Sequence, residues 1–185
     1  MQRHELHGPH GDTVSLPFAV LIAPPGAGKS TVAEALANAA HVTVRDTDQD
    51  VVEETGASIA EIFAVYGEDF FRALEERAVR RAVAGHTGVI ALGAGAVLSA
   101  KTRALLRCTP TVFLDVTCED AVARLQSDTS RPLLAGDLRQ RWARLAAARR
   151  TLYQEAARLT VTTHARTPVQ VAEEVLGRLS SSPPC

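Results

Sequence analysis

The 185-residue sequence is poor in lysine, in cysteine, in long apolar runs and in excess charge of either sign. Each absence excludes something. No apolar stretch approaches the ~20 residues that a membrane-spanning helix needs. The first fifteen residues are polar and lack the apolar segment of a secretory signal, which predicts a cytoplasmic protein. A net charge of −1 argues against a nucleic-acid partner. The three cysteines, Cys108, Cys118 and Cys185, form no C-x-x-C pair and read as reduced thiols without assigned chemistry. His4, His7 and His10 lie in a stretch rich in Gly, Pro and Asp and read as part of a loose tail, residues 1–15, rather than as a metal site. There is no internal repeat, low-complexity block or domain linker, and nothing demands more than a monomer.

What is present is a chain of ordinary globular composition, 46% hydrophobic, suited to one domain. Its charges are segregated: Asp46 to Glu76 is acid-rich, and Arg124 to Arg150 is dominated by arginine. Short apolar runs, at Phe18–Ala23, Val42–Arg45, Val89–Leu92, Thr111–Val116 and Leu159–Thr163, alternate with helical patterns. The predicted helices cover Ser30–Ala40, Ile59–Val65, Glu68–Ala84, Glu119–Gln126, Leu138–Leu159 and Pro168–Leu179. Strands alternating with helices predict an α/β fold with a five-stranded parallel sheet covered on both faces. Ligands of such sheets bind beyond the carboxyl ends of the strands. The loops that fall there are Gly26–Ser30, Asp46-Thr47-Asp48 and Gly93-Ala94-Gly95.

The first of these, within "APPGAGKST", ends as a phosphate-cradling loop does, with Gly28-Lys29-Ser30. Consecutive amides of Gly26, Ala27, Gly28, Lys29, Ser30 and Thr31 opening onto a helix form an anion nest. Lys29 reaches the outer phosphates and Ser30 offers a hydroxyl to Mg²⁺. Lys29 is one of only two lysines, with Lys101, in a chain that otherwise uses arginine. A compact ammonium fits a tight anion nest where a planar guanidinium does not. The pattern's first glycine is replaced by Ala23. That costs about 1 kcal/mol or more if φ there is positive, and almost nothing if it is negative. The bland alternative is a strand–turn–helix with incidental glycines.

Asp46 and Asp48, two apart at a strand end, are expected to point the same way, one toward Mg²⁺ and one toward an acceptor hydroxyl. Gly93-Ala94-Gly95 suits either an anion-binding turn or a tight turn with no ligand. Arg72 and Arg149, each on a helix, can pair bidentately with a carboxylate. Arg131, in "SRPLLAG", lies in a Pro/Gly-bounded segment suited to a flap that closes over a migrating phosphoryl group. Arg139, Arg141, Arg144 and Arg150 read as a solvated helix face.

From about Phe18 to Leu179 the sequence resembles the shikimate kinase family of P-loop, nucleoside-monophosphate-kinase-like enzymes. The resemblance rests on "PPGAGKST", "RDTDQDVVEETGASIAEIFAVYGEDFFRALEERAV", "LGAGAV", "RPLLAG", "RRTLY" and "TPVQVAEEVL", in that order. It implies ATP-dependent phosphorylation of the 3-hydroxyl of shikimate, with Mg²⁺, on a single domain spanning 16–179. It also implies a substrate-binding subdomain at about 46–80 and a lid at about 124–137, with 180–185 a loose tail. Matched position by position, Lys29 takes the phosphates, Ser30 and Asp46 the magnesium, and Asp48 the shikimate hydroxyls. Arg72 and Arg149 hold the shikimate carboxylate, Arg131 is the lid arginine, Arg166 lies beside the adenine and Arg124 is a further nucleotide-side residue. The chain departs from the family at Ala23 and at Ala94, the middle of a G-G-G stretch. Two other readings stay open on the residues: a kinase for a related polyol acid such as gluconate or an aminated shikimate, and a non-catalytic ATP-binding protein.

Overall fold

The computed structural model describes residues 5–7, 13–127 and 137–181. Two stretches of the expected N-terminal tail are ordered as strands: β1 (Glu5–His7) and β2 (Thr13–Ser15) pair antiparallel. The main chain of elements then runs β3 (Ala19–Ile22), α1 (Lys29–Ala40), β4 (Val44–Asp46), α2 (Thr47–Thr55), α3 (Ile59–Gly85) and β5 (Val89–Ala91). A 3-10 turn (Ala96–Leu98) follows, then α4 (Ala100–Leu106), β6 (Thr111–Asp115), α5 (Cys118–Ser127), α6 (Leu138–Ala156), β7 (Leu159–Thr162) and α7 (Pro168–Ser180).

The five strands β4-β5-β3-β6-β7 form one sheet in that order, and every pairing in it is parallel. β3 is buried along its whole length, as expected of a central strand with helices on both faces. The pleat divides its residues between two cores. Ala19 and Leu21 pack with α1, α5 and α7, whereas Val20 and Ile22 pack with α3 and α6. A third cluster, Val51, Ile62, Phe71, Leu74 and Ala78, joins α2 to α3 away from the sheet.

The helices begin where side chains satisfy their free amides. Ser58 and Glu61 form a reciprocal capping box at the start of α3, and Thr167 with Gln170 does the same for α7, where Pro168 occupies the first helical position. The two helices expected on either side of Gly67 are present, and they run together as α3 with a backbone break at Gly67 (φ 82°, ψ 175°). This is a conformation that glycine adopts without strain. α2, α4 and the 3-10 turn are additions to the predicted elements. α6 stops at Ala156 rather than Leu159. Cys108 and Cys118 are free thiols. No helix among the described residues is long and apolar enough to cross a membrane.

Candidate active site

The turn between β3 and α1 owes its shape to two glycines, Gly26 (φ 80°) and Gly28 (φ 78°). Gly28 is the left-handed residue that caps α1, leaving the first amides of that helix available to an anion. At Gly26 a Cβ would lie 2.7 Å from Ala121 O and 3.1 Å from Leu125 Cγ, so this residue is also wedged under α5. Ala23 behaves differently. Among the described non-glycine residues only His41 and Ala165 have positive φ, so alanine at 23 is unstrained and simply buried. The substituted glycine of the pattern therefore costs the loop nothing in backbone energy.

Lys29 Nζ lies 3.6 Å from Asp46 Oδ2. The expectation that Asp46 and Asp48 share one side of an extended strand is corrected here. β4 ends at Asp46, which caps α2 by accepting the Asp48 amide at 2.9 Å. Asp48 already lies in the first helical turn. The helix sends the two carboxylates to different tasks: Asp46 faces the lysine, and Asp48 Oδ1 is buried over Gly93. Thr47 between them is fully buried, its hydroxyl accepting the Gly93 amide at 3.3 Å and so fastening α2 to the end of β5.

Gly93-Ala94-Gly95 forms the floor on which a charged network rests. A Cβ at Gly93 would overlap Asp48 Oδ1 and approach Glu75 Oε1 to 2.7 Å; one at Gly95 would run into the Arg72 guanidinium. A side chain at either position would push the Asp48, Glu75 or Arg72 side chain from its place. Arg72 donates to Glu68 (2.8 Å) and to Glu75 (2.7 Å), and its guanidinium lies over the Phe63 and Phe71 rings. Arg149 Nη1 and the Tyr153 hydroxyl both donate to Ala94 O, at 3.3 and 2.7 Å.

Glu75 was not among the residues singled out in the sequence. It is 3% exposed, and burial pushes its carboxyl above the usual range while the Arg72 pair opposes the shift. Its only sequence signal is a position three residues after Arg72 on one helix face. Burial likewise pushes the Tyr153 hydroxyl up to about 12, so it stays protonated as a donor.

On the other side of the loop, Arg124 Nη1 donates to Gly26 O at 3.2 Å. Arg166, in the loop after β7, pairs with Glu174 of α7. In that same loop His164 Nδ1 meets Asp120 Oδ2 at 2.8 Å, and this bond holds the Asp120 carboxyl below its ordinary value. Arg131 and most of the expected lid lie outside the described residues.

Ser30 and Asp46 present oxygen donors, a hydroxyl and a carboxylate, beside the anion nest. Such hard donors suit Mg²⁺, which keeps several waters and takes phosphate oxygens for the rest of its shell. No group of three or more metal-ligating side chains occurs among the described residues.

A glycine-lysine-serine loop at the end of the central strand, on a sheet of this order, places the chain in the class of P-loop kinases with nucleoside-monophosphate-kinase-like architecture. The comparisons narrow this. The family model described as shikimate kinase matches residues 25–180. A shikimate kinase of Streptomyces coelicolor is 48% identical over 163 residues, spanning 88% of this chain and 95% of that protein. One of Rhodococcus jostii is 44% identical over 165 residues, spanning 89% and 98%. Among solved structures, the shikimate kinase from Acinetobacter baumannii in complex with shikimate superposes with a TM-score of 0.83 at 31% identity, covering 91% of this chain and 95% of that one. The chain belongs to the shikimate kinase family.

Proposed function

We infer that the chain transfers the γ-phosphoryl group of ATP to the 3-hydroxyl of shikimate, giving ADP and shikimate 3-phosphate. The observation that carries the reading is the adjacency of a phosphate-type loop to the Asp48–Arg72–Glu75–Arg149 cluster over one glycine floor. The loop amides and Lys29 grip the phosphates. Arg124 and Arg166 serve the nucleotide end, a role assigned by position in the family pattern, as is that of Arg131 on the migrating group. Mg²⁺, held through Ser30 and Asp46, would supply charge neutralisation at the β- and γ-phosphate oxygens.

On the acceptor side, Arg72 and Arg149 bind the shikimate carboxylate, and Glu75 keeps Arg72 in place. Asp48 orients the 3-hydroxyl and accepts its proton as the oxygen attacks. One P–O bond to the ADP leaving group breaks while one to the shikimate oxygen forms. Positioning and electrostatics supply most of the acceleration in this chemistry.

Ala94 is the feature that favours weighing a second acceptor, since its methyl stands where the family has glycine. A coupled ADP-release assay over shikimate, gluconate and an aminated shikimate decides the matter. Shikimate is expected to give the highest kcat/KM. Preference for another acid would move the substrate assignment, and tight ATP binding with no transfer to any acceptor would leave a binding protein.

A further inference from the structure

The two loops that meet their ligands here sit on different strands, and one helix reaches both. On α6, Trp142 Nε1 donates to Pro25 O at 2.8 Å, across 117 residues of sequence. Arg149 and Tyr153 on the same helix donate to Ala94 O. Offsets of seven and eleven residues return to one face of a helix, so all three side chains form a single row. Trp142 is 7% exposed and Tyr153 is 1% exposed. α6 is anchored to the sheet between them, because Arg150 makes two bonds to the Asp115 carboxylate at the end of β6, at 3.0 and 2.6 Å.

An open cleft runs beside this row. The cleft, of about 360 Å³ and lined by Pro24, Phe113, Asp115, Trp142 and Tyr153 among others, lies between the start of the phosphate loop, the end of β6 and α6. The hydrogen bonds at 142 and 153 tie the two ends of the row to the two loops. We propose that Trp142 and Tyr153 are positioning residues that fix the spacing between the phosphate loop and the acceptor loop, with α6 as the common bar.

The chemical need is plain. Transfer requires the reacting phosphorus and oxygen to approach within about 3–3.5 Å in line, and an error near 1 Å costs up to about 100-fold in rate. Neither residue touches a reacting atom, so each acts through the carbonyl it holds. Losing either bond leaves both ligands able to bind but poorly spaced, and water then competes for the phosphoryl group.

The inference rests on the kinase reading, and the test separates the two. Trp142→Phe and Tyr153→Phe each delete one donor and keep the ring. In both, kcat for shikimate phosphorylation is expected to fall roughly 10-fold or more, with KM for ATP and for shikimate each within about threefold of wild type. ADP released per shikimate 3-phosphate formed is expected to rise above the wild-type ratio. Thermal unfolding monitors the folded fraction, and rates are taken per folded molecule. Unchanged kcat and ratio in the folded variants overturn the proposal. So does a split in which Trp142→Phe moves only KM for ATP and Tyr153→Phe only KM for shikimate. Should one variant not fold, the other decides alone. A wild-type enzyme inactive on shikimate would sink the kinase reading instead, before any variant is compared.

Discussion

The two halves of the proposed site are built by opposite means. The phosphate half is backbone: left-handed glycines, helix amides and one lysine. The acceptor half is side chains: Asp48, Arg72, Glu75 and Arg149 drawn from three helices onto a glycine floor. A backbone site is encoded within a few consecutive residues and resists change anywhere its φ angles are demanding. A side-chain site is assembled by the tertiary fold, and each member depends on neighbours far away in sequence.

The largest effect should come from the one side chain on which the backbone half depends. Lys29→Ala is expected to lower kcat by roughly 10³-fold or more, and a steady-state assay showing a loss of under tenfold would overturn its place on the phosphates. On the acceptor half, Arg149→Ala should raise KM for shikimate about 10- to 100-fold while leaving KM for ATP near wild type. Equal losses for both substrates would erase the distinction between the halves.

The backbone half makes its own sharp contrast. Gly26→Ala meets a positive φ and the Ala121 carbonyl, and should cost about 2 kcal/mol or more in chemical denaturation. Ala23→Gly should change stability by less than about 1 kcal/mol and bring no gain in activity, although it restores the usual motif.

Smaller effects sharpen the acceptor half. Because burial raises the Glu75 pKa, this carboxyl takes up a proton at a pH where exposed carboxylates are still ionised. As pH falls through that raised value Arg72 loses the buried one of its two carboxylate partners, so kcat/KM for shikimate should decline on the acid side before nucleotide affinity does. Glu75→Gln should remove that limb and hold kcat/KM low throughout. Ala94→Gly should lower KM for shikimate by no more than about fivefold; an increase would show that the methyl does not crowd the acceptor.

The same contrast explains what could be read in advance. The sheet, the loop and the break at Gly67 were legible because each is written locally, in apolar runs, in Gly-Lys-Ser and in a lone glycine within a helical pattern. Asp46 and Asp48 were read with the wrong local geometry, since a carboxylate at a strand end is also an N-cap, and the helix that it starts turns the next carboxylate elsewhere. Glu75 looked like any charge on a helix, because burial of an ionisable group is decided by the elements that cover it. The bond from Trp142 to Pro25 had no local signature at all.

That indole is the only one in the chain. With its N–H on a carbonyl of the phosphate loop, its emission belongs to a single, known address. Adding nucleotide to the unlabelled enzyme should shift or quench that emission in proportion to loop occupancy, while shikimate alone should leave it nearly unchanged. The molecule thus carries an intrinsic optical reporter whose indole contacts the nucleotide half of the proposed site.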